Sequence, residues 1–110
     1  MLSWTHHAQA KMHFYRLSQA RIRRVLHSPK RVEEGVAPKT VAMMQPSSLK
    51  QTAGGKETWT QEIWVMIQDV GKNRKVISAW RYPGITKPRS EVVINLAKKE
   101  YNEFIAKGKI

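Results

Sequence analysis

The stretch from Thr58 to Asp69 constrains this 110-residue chain more than any other. Successive side chains of a strand point to opposite faces of its sheet. Here Trp59, Ile63, Val65 and Ile67 fall on one side and Trp64 and Met66 on the other. Apolar groups on both faces predict a strand at the centre of a sheet. Gly71-Lys72-Asn73 supply turn residues, and Lys75 to Tyr82 (KVISAWRY) forms the returning strand of a hairpin, which Pro83-Gly84 ends.

The flanking segments change period. Trp4, Ala8, Met12 and Tyr15 recur at spacings of four, four and three, one face of a first helix. Leu17 and Ser18 read as staple and N-cap of a second helix with a stripe of Ile22, Val25 and Leu26, stopping before Ser28-Pro29. Arg31 to Val36 and Lys39 to Met44 read as short strands joined around Gly35 and Pro38. Gln45 to Lys56 (QPSSLKQTAGGK) is expected to be a mobile polar loop without a regular element. A polar link, Ile85 to Ser90, leads to a helix from about Glu91 to Lys107, with Val92 or Val93, Leu96, Tyr101 and Phe104 or Ile105 inward and Gly108 as C-cap. The expected architecture is a single α+β domain over residues 1–110. In it, two N-terminal helices pack on a mostly antiparallel three- or four-stranded sheet, with a C-terminal helix.

Charge restricts the function. Twenty Lys and Arg stand against eight Asp and Glu, a net charge of +12 that points to a polyanionic partner. The charge is dispersed along the chain, as on a folded basic surface rather than a basic tail. The absence of cysteine excludes disulfides, thiolate nucleophiles and Cys-based zinc sites. The longest apolar run, Ile63 to Ile67, is far below the ~20 residues of a membrane-spanning helix. With no targeting segment in the opening residues, the expectation is a soluble cytoplasmic protein without a membrane partner.

The candidate residues form three groups. Arg16, Arg21, Arg23, Arg24, Lys30 and Arg31 make the densest basic patch, and no acid occurs between Met1 and Val32 to neutralise it. Such a patch either binds nucleic acid or keeps a helix solvated. In Trp80-Arg81-Tyr82, an arginine between two aromatics at a strand end can grip a phosphate while a ring stacks on a base. The downstream Lys87 and Arg89 would add to it. Alternatively, Trp80 is core and Arg81 an ordinary solvated residue. His7, beside the apolar stripe of the first helix and one turn from Lys11, is either a proton-transfer group or a structural histidine bonded to a backbone carbonyl. His6, His13 and His27 are expected to be solvated. Glu62 reads as a general base if it faces a cleft, otherwise as one acid on a polar face. No metal is expected, since His6 and His13 lie about 10.5 Å apart along a helix and no histidine pair has i, i+4 spacing. No cofactor is expected either.

The run His7-Ala8, Met12, Tyr15, Leu17-Ser18, Ile22, Val25-Leu26 and Pro29, with the later IWVMIQD and KVISAWRYPG segments, resembles an uncharacterised small-domain family, domain of unknown function 4258. Those domains are similar to BrnT and, more distantly, to RelE-type toxins of toxin-antitoxin pairs. The resemblance implies a RelE/BrnT-like fold. It implies metal-independent RNA cleavage by attack of the ribose 2′-hydroxyl on the adjacent phosphate, and an acidic antitoxin as partner. By the match, His7 takes the family's early histidine position and Arg81 its late-strand basic position. The long QPSSLKQTAGGK insertion and the C-terminal helix depart from a minimal toxin. The leading expectation is therefore an RNA-binding, toxin-type endoribonuclease, in free or ribosome-associated contact with RNA. His7 and Arg81 would be catalytic, and Arg16, Arg21, Arg23, Arg24, Tyr82, Lys87 and Arg89 would bind RNA. Two other readings stay open: a non-catalytic nucleic-acid or ribosome-binding module, and a protein-interaction domain that docks a partner on an exposed strand or the C-terminal helix.

Overall fold

The computed structural model describes residues 1–108. Its elements run β1 (Leu2–Trp4), α1 (His6–Tyr15), α2 (Gln19–His27), β2 (Arg31–Glu34), β3 (Thr40–Pro46), β4 (Lys50–Gln51), β5 (Glu57–Thr58), β6 (Glu62–Val70), β7 (Asn73–Tyr82) and α3 (Glu91–Ala106). The architecture is α+β, with a sheet of five strands in the order β1-β7-β6-β3-β2, all pairs antiparallel except β1 with β7. The central position expected for β6 is the one it holds.

Alternation along β6 decides what covers each face. Ile63, Val65 and Ile67 join Val76 and Ala79 of β7 beneath α1 and α2, meeting Ala8, Met12, Leu17, Ile22 and Val25. Trp64 and Met66 join Ala42, Met44, Ile77 and Trp80 beneath α3, meeting Val93, Ala97 and Phe104. The sheet is thus sandwiched between the two N-terminal helices and the C-terminal one.

Caps set the helix boundaries. Thr5 accepts from the Ala8 amide, and its hydroxyl donates to Val76 O at 3.1 Å, so α1 starts after Trp4. Trp4, expected on the helix, instead pairs with Val76 as part of β1, a fifth strand absent from the expected sheet. Ser18 caps α2 as expected, with Leu17 and Ile22 both in the core beside it. Ser90 caps α3, and Gly108 follows it at φ 84.

Three further expectations need correction. The Gln45–Lys56 segment, read as free of regular structure, carries β4 and leads into β5; Lys50 pairs with Thr58 and Gln51 with Glu57, the chain turning back through Gly55 at φ 80. The central strand begins at Glu62 rather than Thr58, and Trp59 packs on the α3 side, opposite the side predicted. Of the two alternatives for the inward position on α3, Val93 is the one in the core and Val92 is exposed, in keeping with the expectation. The β6–β7 turn is two residues, Gly71 and Lys72, with Gly71 at φ 60, the positive value a type II′ hairpin turn needs at its first central position. Among the described residues no helix is long and apolar enough to cross a membrane.

A β-bulge in β7 links the sheet to the C-terminal helix. Met66 pairs with Ser78 but Ile67 with Val76, so Ile77 is an extra residue. Both Ile77 and Ser78 consequently face α3, and Ser78 reaches that helix's buried carboxylate.

Candidate nucleic-acid interface

On the α1–α2 side of the sheet, Gln45 of β3, Ile63 of β6 and Arg81 of β7 lie in one row of paired residues. Ile63 is core beneath the helices, so its two neighbours point the same way. Gln45 accepts from Arg21 Nη1 at 2.5 Å and donates to the carbonyls of Arg24 (3.2 Å) and Ser28 (2.9 Å). These carbonyls lie at the end of α2; the Arg24 carbonyl also accepts from the Ser28 amide, and the Ser28 carbonyl lies beyond the helix's own donors. Arg21 also donates to Pro46 O at 3.1 Å. Arg81 donates through Nε to Tyr15 O, at the end of α1, at 2.8 Å and through Nη1 to Gln61 Oε1 at 2.9 Å. The row therefore fixes the C-terminal ends of both helices to one end of the sheet, using cations bound to neutral acceptors.

The electrostatics are unbalanced. Among the described residues Arg16, Arg21, Arg23, Arg24 and Arg81 form no ion pair with a carboxylate. Burial, and then the nearby charges of Arg24 and Arg81, push the Arg21 guanidinium below its ordinary value. Arg21 is thus close enough to both Arg24 and Arg81 to feel their charge, an arrangement that an anion relieves. Arg23, Arg24 and His27 are exposed and open, with Ser28 and Gln45, onto a depression of about 460 Å³. Arg16 stands exposed at the α1–α2 turn at φ 56, and Arg23 lies over the Trp4 ring, 5.6 Å from its centroid. Guanidinium groups stay charged and present paired donors that match phosphate oxygens.

His7 belongs to a different place. It is 1% exposed, in a joint where α1 meets α3 beside the bulge. Lys107 Nζ lies 3.1 Å from His7 Nδ1. An ammonium can only donate, so the ring proton sits on Nε2 and is donated to Glu100 Oε1 at 3.1 Å. Glu100 also accepts from Ser78 Oγ at 2.5 Å and from Lys11 Nζ at 2.8 Å. Burial pushes the Glu100 carboxyl up, but the bonds from Lys11, Ser78 and His7 outweigh it and hold it below the usual carboxylate range. The structural alternative for His7 gave it a backbone carbonyl as partner; its actual partner is a carboxylate 93 residues away in sequence. Ligand atoms of His7, Glu100 and Glu103 lie within 4.8 Å of one another, a grouping that could hold a metal ion. Two lysine ammoniums already supply positive charge there, and a cation would have to displace them.

The predicted residues separate accordingly. Arg81 bonds to the far end of α1, and the eight residue steps from His7 to Tyr15 span about 12 Å of helix, so His7 and Arg81 do not share one site. Arg81 instead joins Arg21 and Arg24. Tyr82 packs against the α3-side core, and Lys87 and Arg89 are exposed on the link beyond it. That link is tied to Glu62 by Thr86 and to Glu33 by the Arg89 amide, and both carboxylates point to the α3 side. Tyr82, Lys87 and Arg89 therefore lie across the sheet from Arg16, Arg21, Arg23 and Arg24. Glu62 is 0% exposed and accepts from the indoles of Trp59 and Trp64, so it faces no cleft. Sequence reasoning missed Gln45 and Gln61, whose roles depend on strand register, and Glu100, whose only local signal was a carboxylate on the apolar stripe of α3. Comparison with protein-family profiles, with curated proteins and with solved structures gives no match for this chain.

Proposed function

We propose that this protein binds RNA through the face formed by α1, α2 and the end of β7, and that it does so without cleavage at His7. The observation that carries the reading is the group of Arg21 with Arg24 and Arg81 near it, free of carboxylate partners among the described residues, with Arg16 and Arg23 exposed beside it. Phosphates arriving at that face relieve the repulsion and release counterions. The choice of RNA over other polyanions rests on the resemblance to domain of unknown function 4258 and the RelE-like toxins. An acidic antitoxin, the partner implied by that resemblance, would compete for the same face, and a cytoplasmic location goes with both.

The nuclease reading requires a proton-transfer group and a phosphate clamp on one phosphate. The burial of His7, the use of both its ring nitrogens and its separation from Arg81 favour the binding module instead. Titration of a labelled RNA against the full chain across a salt series tests the reading. Affinity is expected to fall steeply with salt, and removing two of the exposed arginines, Arg23→Ala and Arg24→Ala, is expected to weaken binding and flatten the salt slope by about 1.4 for a single strand. Salt-insensitive or absent binding refutes it. Cleavage in EDTA, lost in a folded His7→Ala variant, would return the nuclease reading.

A further inference from the structure

Phe14 is 75% exposed, the most exposed aromatic ring described, although it lies two turns along the same side of α1 from the buried His7. Its ring meets Tyr15 edge to face, with centroids 4.8 Å apart and planes at 88°. An edge contact orients a ring and leaves a broad face open to solvent. That ring borders a depression of about 620 Å³ lined also by Met12, His13, Arg16, Leu17 and Ser18. His13 and Arg16 of that lining are exposed, and neither has a carboxylate partner among the described residues. The depression adjoins the arginine cluster directly, because the Tyr15 carbonyl, one residue from Phe14, accepts from Arg81.

Resting on the RNA-binding reading above, we infer that Phe14 is a stacking platform for an unpaired base, and that the protein's ligand is therefore single-stranded RNA, a loop or an end, rather than a duplex. In a duplex the base faces are stacked on one another and closed to a side chain; only a splayed base offers its face to an aromatic ring. Arg16 and His13 then flank the base at the positions of the adjoining phosphates, and the strand continues toward Arg21, Arg24 and Arg81. A phenylalanine offers no hydrogen bond, so the platform accepts any base and selects for single-strandedness rather than sequence.

The test compares three RNAs at about 0.1 M salt: a single-stranded oligomer, the same oligomer with one 2-aminopurine, and its duplex. The full chain should bind the single strand about tenfold more tightly than the duplex. Phe14→Ala and Phe14→Leu should each lose about tenfold on the single strand and nothing on the duplex, while Phe14→Trp keeps the affinity. Binding should quench 2-aminopurine fluorescence for wild type and Phe14→Trp only. Because Phe14 contributes little to the core, all three variants should melt close to wild type. If Phe14→Ala binds the single strand as wild type does while the Arg23/Arg24 variant binds weakly, the stacking inference falls and the RNA-binding reading stands. If wild type binds neither RNA form, both fall.

Discussion

Replacing Glu100 tests whether the α1–α3 joint is structural, and with it the assignment of His7. Glu100 is 3% exposed and accepts from His7, Lys11 and Ser78, groups supplied by α1 and β7. Glu100→Ala leaves the Lys11 ammonium and two neutral donors without their acceptor. Removing one partner of a buried pair costs about 3 kcal/mol at the lower end of the usual range, a suitable value because Lys11 retains some access to water. Unfolding entropy near 2.1 cal/mol/K per residue gives about 0.23 kcal/mol/K for 110 residues, so the melting temperature should drop by about 13 °C.

Glu100→Gln separates charge from shape. The Glu100 carboxyl titrates lower in the folded chain than in the unfolded one. Its contribution is therefore complete above the ordinary carboxylate value of about 4.3 and disappears as pH falls through the lower, folded value. Wild type should be the more stable at pH 7, and its advantage over Glu100→Gln should vanish in acid. Scanning calorimetry or urea titration between pH 2.5 and 7, values chosen to bracket about 4.3, reads both effects. A fall of less than about 4 °C for Glu100→Ala, or a gap between wild type and Glu100→Gln that persists unchanged into acid, refutes the claim that this carboxylate holds the two helices together.

Two more substitutions probe the frame around the interface. Glu62→Leu strips the acceptor shared by Trp59, Trp64, the Thr86 hydroxyl and the Thr86 amide, and should cost about 3 to 5 kcal/mol in urea unfolding; a cost below about 1 kcal/mol would mean the buried carboxylate does not anchor the β7–α3 link. Gly71→Val forces a branched residue to φ 60 and should cost about 1 to 2 kcal/mol from backbone strain alone, since no atom lies within 4 Å of the missing Cβ; an unchanged urea midpoint would show that the turn relaxes freely.

The core was readable in the sequence wherever a short-range period determined it. The double-sided alternation of β6, the Leu17-Ser18 entry to α2 and the helix α3 after the polar link follow from spacing and local chemistry, and each occupies its expected place. Trp4 was misread because helical spacing from Ala8 fits it equally well; Thr5 decides the matter through its long-range bond to Val76. Trp59 fell on the wrong side because the strand does not extend back to it. The bulge at Ile77 left no local signal, yet it turns Ser78 toward Glu100. The basic patch was legible as charge. Its division into two faces was not, because that depends on which way Glu33 and Glu62 point, and so on register.

The acids explain why the arginines of α2 remain available. The carboxylates of Glu33, Glu62 and Glu100 are buried and serve the link, the tryptophans and the α1–α3 joint, whereas Glu57 and Asp69 pair with Lys30 and Arg74 at the ribbon and the hairpin. None of these lies against the exposed side of α2; Arg21 of that helix is anchored by Gln45 and the Pro46 carbonyl, and Arg81 of β7 by Gln61 and the Tyr15 carbonyl. Neutral acceptors hold a guanidinium in place without cancelling its charge. A glutamate at position 61 would pair with Arg81 and strengthen the local fold, but it would also weaken the field that attracts a polyanion. Gln45→Glu should destabilise, because a carboxylate cannot donate to the Arg24 and Ser28 carbonyls, whereas Gln61→Glu should leave the melting temperature unchanged or raised while weakening RNA binding. That combination follows from a surface whose positive charge is maintained for a partner rather than for the fold.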